Sequence, residues 1–440
     1  MTFSDYIDYL RGKRIGVIGF GVSNQPLVRV LLRNGCDVTV CDRRERAQLG
    51  AAGDEAAAQG AKFALGADYL EHLDFDVIFR TPGVLPIVPQ LRKAAQNGAI
   101  LTSEMEAFCN LCPCRILAIT GSDGKTTTST ITAELLRAQG YTVHLGGNIG
   151  TPLFDRIADI RPDDFAVLEL SSFQLHSMHC APDVAIITNI SPNHLDVHPD
   201  LEDYVSAKCS IYRGQRPDGV LVLNARDALT PRFAAEAPGS VRYFSSIGPV
   251  ENGVYCSDGV IYRAHGDEAE KLIDVSDIRI PGAHNVENYM AAFAATDGLV
   301  GQAACVQVAR SFAGVPHRME RIRELNGITF INDSIASSPT RTIAGLHALP
   351  KPPVIILGGH DKHIPFDELG DEVCLHAKAA VVAGETAQRI AAAIRASKFY
   401  APGKLPLVEA PDFRAAVEMA YRLAQPGDTV TLSPACSSFD

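Results

Sequence analysis

Ile116-Leu117-Ala118-Ile119-Thr120-Gly121-Ser122-Asp123-Gly124-Lys125-Thr126-Thr127-Thr128 is an apolar run, a glycine-rich turn, then a lysine followed by three threonines. The pattern predicts a buried strand, a tight loop and a helix opening on hydroxyl residues. Such a junction aims backbone N–H groups and an ammonium at one small volume, which suits the β- and γ-phosphates of a nucleotide. Gly121 and Gly124 stand two residues apart, so this is not the common Walker spacing, and a glycine turn that merely caps a helix is the bland alternative. A separate nucleotide-like unit precedes the loop, which argues for a multidomain enzyme driven by ATP.

Upstream, Arg14-Ile15-Gly16-Val17-Ile18-Gly19 reads as a short strand that turns through Phe20-Gly21-Val22-Ser23 into a helix with Leu27, Val30, Leu31 and Leu32 on one side. Val38-Thr39-Val40-Cys41 is a second strand ending on Asp42. Strand, glycine turn, helix, strand and terminal acid form the front of a dinucleotide-type unit, although Ser23 stands where the usual fingerprint has a glycine. NAD binding and a ligand-free structural turn are both open at this point. A strand at Phe75–Phe79 runs into Arg80-Thr81-Pro82-Gly83-Val84, and the unit ends between residues 103 and 115.

Downstream, Ile131, Leu135 and Leu136 give the helix after the loop a face to pack on a sheet. Apolar strands are expected at 142–145, 165–170, 184–190 and 220–224, with a hairpin insertion at 240–280 and helices at about 286–299 and 304–312. A third unit starts near Gly314-Val315-Pro316-His317-Arg318, with strand–turn junctions at 329–334, 352–359 and 429–434. A domain of this kind usually covers its last strand with a helix, so the sequence is expected to be clipped after Phe439-Asp440. The expected fold class is α/β: three domains on mainly parallel sheets, Rossmann-like, P-loop ATPase-like and Rossmann-like, over 1–106, 107–313 and 314–440.

Composition bounds the partners. The 440 residues are 46% hydrophobic and 21% charged, as in a globular α/β protein too long for one typical core. A formal net charge of -11 makes a broad nucleic-acid surface improbable, so an anionic ligand must be met by local donors. The opening Met1-Thr2-Phe3-Ser4-Asp5-Tyr6 lacks the regions of a secretory signal, and no stretch reaches the ~18 apolar residues of a membrane span, so a cytoplasmic protein is expected. The 11 cysteines are expected to be free thiols; the Cys109, Cys112, Cys114 group has no second ligand pair of matching spacing to complete a metal site.

The middle unit carries the chemistry. Lys125 can neutralise phosphate charge, and Thr126 or Thr127 can complete a Mg²⁺ shell. Glu169 ends an apolar strand, where a carboxylate is costly unless a cation meets it. His194 and Asp196 follow the next strand, at the same sheet edge; a structural histidine competes with a metal ligand there. Lys208, in Tyr204-Val205-Ser206-Ala207-Lys208-Cys209-Ser210-Ile211-Tyr212, is either a solvated lysine or, carbamylated by carbon dioxide, an anionic metal ligand.

Taken in order, Thr120–Thr127, Glu169-Leu170-Ser171-Ser172-Phe173-Gln174-Leu175, His194-Leu195-Asp196, His284-Asn285-Val286-Glu287-Asn288 and Pro316-His317-Arg318 resemble the motifs of the Mur ligase family. The resemblance covers essentially the whole chain and is nearest to the members that add D-glutamate. It implies ATP-dependent joining of D-glutamate to UDP-N-acetylmuramoyl-L-alanine through an acyl phosphate, in cytoplasmic peptidoglycan precursor synthesis and so in cell-wall biogenesis, cell shape and division. It replaces NAD in the first unit by the UDP-substrate, at Gly21, Val22, Ser23, Asp42, Thr81, Gly83 and, from the middle unit, Asn148. It places ATP at Gly121, Ser122, Asp123, Gly124, Lys125, Thr126, Thr127, Asn285, Asn288, Arg318 and Asp333. A pair of magnesium ions falls to Thr126, Glu169, His194 and carbamylated Lys208, and Lys125, His194 and Lys208 become the catalytic set.

Asp361-Lys362 and Ser433-Pro434-Ala435-Cys436-Ser437-Ser438 resemble the amino-acid site, with Lys362 and Ser438 on the carboxylates of D-glutamate. Where some members read Asn-Asp-Ser-Lys-Ala-Thr, this chain has Asn332-Asp333-Ser334-Ile335-Ala336-Ser337, so the carboxylate grip differs in detail and Ser337, Thr340 and Arg341 are the candidates to compensate. The expected partners are the two substrates, with no nucleic acid and no membrane, on a monomer. The competing readings are a ligase for another amino acid, a folylpolyglutamate synthase, a non-catalytic nucleotide-binding module and an NAD dehydrogenase; the last leaves the middle unit unexplained.

Overall fold

Three sheets carry the chain in the computed structural model, which describes residues 1–194, 197–361 and 364–436. Asp196, Lys362 and Ser438 lie outside the described residues. The first sheet holds β1 (Arg14–Ile18), β2 (Asp37–Asp42), β3 (Lys62–Leu65), β4 (Val77–Arg80) and β5 (Ile100–Thr102) in the order β3-β2-β1-β4-β5, all parallel. The order reverses between β1 and β4, the crevice where open α/β sheets take ligands.

The second sheet holds β6 (Arg115–Thr120), β7 (Val143–Gly147), β8 (Phe165–Glu169), β9 (Val184–Ile187), β10 (Val220–Asn224), β11 (Ser240–Ser245), β12 (Asn252–Ser257), β13 (Val260–His265) and β14 (Glu268–Asp274). Its order is β14-β13-β12-β11-β10-β9-β6-β8-β7. β6, β8 and β9 are buried almost throughout, as strands covered on both faces must be. The hairpin expected within 240–280 is present as the antiparallel β12–β13 pair, and it continues the sheet rather than standing apart from it. β11 pairs parallel with β10, and β12, β13 and β14 extend it, with antiparallel pairing from β12 outward. β9 ends at Ile187, short of the expected 190, because Thr188 and Asn189 turn their side chains to the phosphate loop. The helix Lys125–Ala138 buries Ile131, Leu135 and Leu136 as its periodicity predicts.

The third sheet holds β15 (Glu320–Leu325), β16 (Ile328–Asn332), β17 (Val354–Leu357), β18 (Ala379–Val382), β19 (Leu407–Glu409) and β20 (Thr429–Leu432) in the order β15-β16-β20-β17-β18-β19, antiparallel only between β15 and β16. The chain forms two compact units: residues 1–277 with 286–310, and 278–285 with 311–440. The first contains sheets one and two over one apolar core that includes Val17, Phe108, Phe154, Leu168 and Phe233. The second packs the third sheet between two clusters, one around Ile355 and Val382 and the other around Ile356 and Val430. All 11 cysteines are free thiols, and no helix among the described residues is long and apolar enough to cross a membrane.

Candidate active site

The phosphate loop spans Gly121–Gly124, between β6 and the helix Lys125–Ala138. Gly124, at φ +79°, is the residue before the helix, and Gly121 has φ +146°. A Cβ on Gly121 would lie 1.9 Å from Thr188 Oγ1, and one on Gly124 2.3 Å from Asn288 Oδ1. Backbone sign and space both require glycine here. Neighbouring strand ends hold the loop: Thr188 Oγ1 donates to the Asp123 carbonyl (2.6 Å), and the Asp123 N–H donates to Asn189 Oδ1 (3.0 Å). Lys125 Nζ folds back onto the Gly121 and Ser122 carbonyls at 2.9 and 2.8 Å. Thr126 is half-buried, whereas the buried Thr127 Oγ1 has no hydrogen-bond partner among the described residues.

Lys208, on the helix Leu201–Arg213, is 1% exposed, so the solvated-lysine reading falls. Its Nζ donates to the Gly121 carbonyl at 2.7 Å and lies 4.7 Å from the centre of the Tyr204 ring. Burial, and then the charge of Lys125, hold its pKa well below the ordinary lysine value. Glu169 is 2% exposed and pairs in register with Ile119 of β6, which puts it beside the loop rather than in solvent. Its Oε1 accepts from Asn148 Nδ2 (2.9 Å), while Oε2 is buried with no partner among the described residues. The Asn148 N–H also donates to the Glu169 carbonyl (2.8 Å). An orphaned carboxylate oxygen and an orphaned hydroxyl beside a phosphate loop suit a hard, oxygen-seeking cation. His194 is exposed, in a left-handed conformation (φ +56°), with its ring edge-on to Phe173 at 4.9 Å.

The first-unit residues expected to meet the UDP-substrate lie at the switch point. Gly19 admits Thr81 so closely that a Cβ there would meet Thr81 Cγ2 at 2.7 Å, which brings the turns after β1 and β4 together. Gly21, Val22 and Gly83 are exposed there, and Ser23 is half-buried. The Asp42 carboxylate is committed to the turn: it accepts the Phe20 N–H (2.7 Å) and the Arg44 N–H and Nε (both 2.9 Å).

Asn288, 6% exposed, accepts from Thr128 Oγ1 at 3.2 Å, so it belongs to the phosphate loop's surroundings. In the other unit, Asn285 Nδ2 donates to the Pro281 carbonyl. Arg318 sits between His317 and Met319, both left-handed at φ +65° and +46°. Asp333, 4% exposed, accepts from Ser433 Oγ (2.8 Å) and the Met319 N–H (3.1 Å); burial raises its pKa. Non-glycine residues in this region of backbone space cost of order 1–3 kcal/mol, and such strain collects at functional loops.

Sequence reading missed a layer behind these residues. Arg80 is 1% exposed and reaches from the end of β4 to Ser177 Oγ (2.6 Å) and the Phe173 carbonyl (3.1 Å), tying the first sheet to the segment after Glu169. Ser122 Oγ meets Tyr204 OH and the Ser191 carbonyl, each at 2.9 Å. A charge at the end of an apolar strand was the available signal for Arg80; nothing local marks Tyr204.

Residues 119–296 match the family model of the Mur ligase middle domain, and residues 317–436 match that of the Mur ligase glutamate ligase domain. With a phosphate loop, a buried acid and a buried lysine at one strand edge, the chain belongs to the Mur ligase family, three-domain α/β enzymes that form amide bonds with ATP. Among its relatives is a protein of Acetivibrio thermocellus named UDP-N-acetylmuramoylalanine–D-glutamate ligase. It is 45% identical over 441 residues, covering 99% of this chain and 94% of that protein. A protein of the same name from Clostridium kluyveri is 45% identical over 440 residues, covering 100% and 95%. Solved structures share the fold: the UDP-N-acetylmuramate-alanine ligase MurC of Thermotoga maritima (TM-score 0.59, 18% identity, 96% of each chain). So does the MurF ligase of the same organism in complex with ADP (TM-score 0.57, 18% identity, 97% and 92%).

Proposed function

We propose that this protein joins D-glutamate to UDP-N-acetylmuramoyl-L-alanine with hydrolysis of ATP to ADP and phosphate, in the cytoplasmic synthesis of peptidoglycan precursors. The observation that carries the reading is the convergence of Lys125, Lys208 and the half-satisfied Glu169 on one phosphate loop, in a chain that covers 94% and 95% of two curated relatives of that name.

The terminal carboxylate of the UDP-substrate attacks the γ-phosphorus, the bond to the β,γ-bridging oxygen breaks, and ADP leaves. The amine of D-glutamate then attacks the acyl carbon, the amide bond forms as the C–O bond to phosphate breaks, and the amine proton leaves with the phosphate. Most of the catalysis is alignment and charge neutralisation. Gly121–Gly124 cradle the phosphates through backbone N–H groups, and Lys125 leaves its carbonyl partners for the β- and γ-phosphates. Thr126, Glu169, His194 and Lys208, the last as a carbamate, would hold Mg²⁺, which when bound offsets the repulsion between carboxylate and polyphosphate.

Asn285, Asn288, Arg318 and Asp333 serve the rest of ATP. Gly21, Val22, Ser23, Asp42, Thr81, Gly83 and Asn148 serve the UDP-substrate, and Lys362 and Ser438 the carboxylates of D-glutamate. We place the functional domains at 1–106, 107–313 and 314–440, in a monomer. Phosphate release with UDP-N-acetylmuramoyl-L-alanine across a panel of D- and L-amino acids tests the proposal. Turnover is expected with D-glutamate, and turnover confined to L-alanine or a diamino acid would reassign the substrate.

A further inference from the structure

His198 belongs to none of the sets above, yet its imidazole contacts both the segment after Glu169 and the helix that carries Tyr204 and Lys208. It is 1% exposed. Its Nδ1 lies 2.6 Å from Asp203 Oδ2, and its Nε2 lies 3.0 Å from Ser172 Oγ, three residues after Glu169. One ring face stacks on Phe173 (5.4 Å, 15°), whose own ring meets His194; the edge meets Tyr204 (5.3 Å, 76°). Tyr204 in turn holds Ser122 Oγ of the phosphate loop at 2.9 Å and lies one helical turn from Lys208, whose ammonium it faces at 4.7 Å. The backbone N–H of His198 donates to the His194 carbonyl at 2.9 Å.

Resting on the ligase reading above, we infer that His198 is a positioning residue: through Ser172, Phe173 and Tyr204 it sets Glu169, His194, Lys208 and Ser122 in one arrangement. Asp203 Oδ2 takes a hydrogen bond from Nδ1 and the Ser172 hydroxyl pairs with Nε2, so both ring nitrogens are used and the ring is pinned in one orientation. His176 Nε2 shares Asp203, at 3.1 Å from Oδ1, which gives two imidazoles and a carboxylate within metal-ligand reach. Donors on one tetrahedral zinc, bonded at ~2.0 Å, stand about 3.3 Å apart. The 2.6 Å between His198 Nδ1 and Asp203 Oδ2 is a hydrogen bond with no room for an ion.

The test uses the full chain with His198→Phe, which keeps the stack and loses both hydrogen bonds. His198→Asn restores a donor toward Asp203, His198→Gln one that reaches Ser172, and Asp203→Asn is a milder companion should His198→Phe fold poorly. Steady-state phosphate release, calorimetric affinity for ADP with Mg²⁺ and thermal midpoints are read together. His198→Phe is expected to lower kcat by about 100-fold, the scale of a small misplacement of reacting groups, with KM for the UDP-substrate within about threefold. Either amide variant should recover about tenfold of that loss. A kcat equal to wild type, or a fall in kcat matched by an equal rise in every KM and no rescue, overturns the inference. So does stoichiometric zinc in the wild-type protein that His198→Asn abolishes. If the wild-type chain releases no phosphate with any amino acid, the ligase reading fails by itself; ADP affinity then decides, a fall of about tenfold in His198→Phe supporting the inference and an unchanged affinity overturning it.

Discussion

Lys208 shows how far one residue's setting can depart from its chemistry in water. A buried ammonium beside a second lysine is held toward the neutral amine, the form whose lone pair attacks carbon dioxide. Lys208→Ala is therefore expected to cut phosphate release at least about 100-fold, and added acetate to restore part of it by supplying the missing carboxylate. Failure of every short-chain acid to restore turnover would count against a carbamate at Lys208. Asp42 runs the opposite way. Burial opposes its ionisation, but the Arg44 guanidinium and the Phe20 and Arg44 N–H groups win and hold it at about 2. With an unfolded value of about 3.9, the unfolded chain binds more protons between these values, so the stabilisation is complete above pH ~4 and fades as pH falls toward 2. Asp42→Asn should lose about 1–2 kcal/mol at pH 7, with the gap in thermal midpoint narrowing between pH 4 and 3; a gap that stays constant with pH would remove Asp42 from that role.

At the scale of elements, the phosphate loop depends on a strand it does not belong to. Gly121→Ala would drive a methyl into Thr188 Oγ1 and place alanine at φ +146°. Strain of about 1–3 kcal/mol should weaken ADP binding roughly tenfold or more. Thr188→Ala in the same chain removes the hydroxyl but leaves the Thr188 backbone N at 3.1 Å, so calorimetry should find partial recovery rather than full. Complete recovery would mean that space alone matters at this turn. His194, His317, Met319 and Ala435 take left-handed backbone without being glycine, and each stands in a loop that follows a strand of the second or third sheet or leads into β15. The segment after β8 is gripped from two sides, by Arg80 and by His198, which couples the end of the first sheet to the phosphate loop.

Over the whole molecule, sheets one and two share a continuous core, while the third sheet has cores of its own. Cooperative melting follows shared cores. Differential scanning calorimetry should therefore resolve two transitions rather than three, and ADP with Mg²⁺ should raise the one belonging to the first unit, which carries the phosphate loop. Three resolved transitions would show that the core joining the first two sheets contributes little to their stability.

The strand–loop–helix at 115–138, the apolar parallel strands around it and the burden of placing Glu169 at a strand end were legible from periodicity and residue type alone, because those signals are local. Pairing across the chain was not. The hairpin expected at 240–280 proved to be the far edge of the second sheet, since alternation cannot say which strand a strand will join. Solvated or buried was undecidable for Lys208 until the Gly121 carbonyl came to meet it across 87 residues. Arg80 and Ser177 stand 97 residues apart and His198 and Ser172 26 apart, so no window along the chain could have joined them. The sequence determined which charged and hydroxyl groups this protein carries around its glycine turn; the packing of strand ends decided which of them share one volume, because burial without partners is a property of three dimensions.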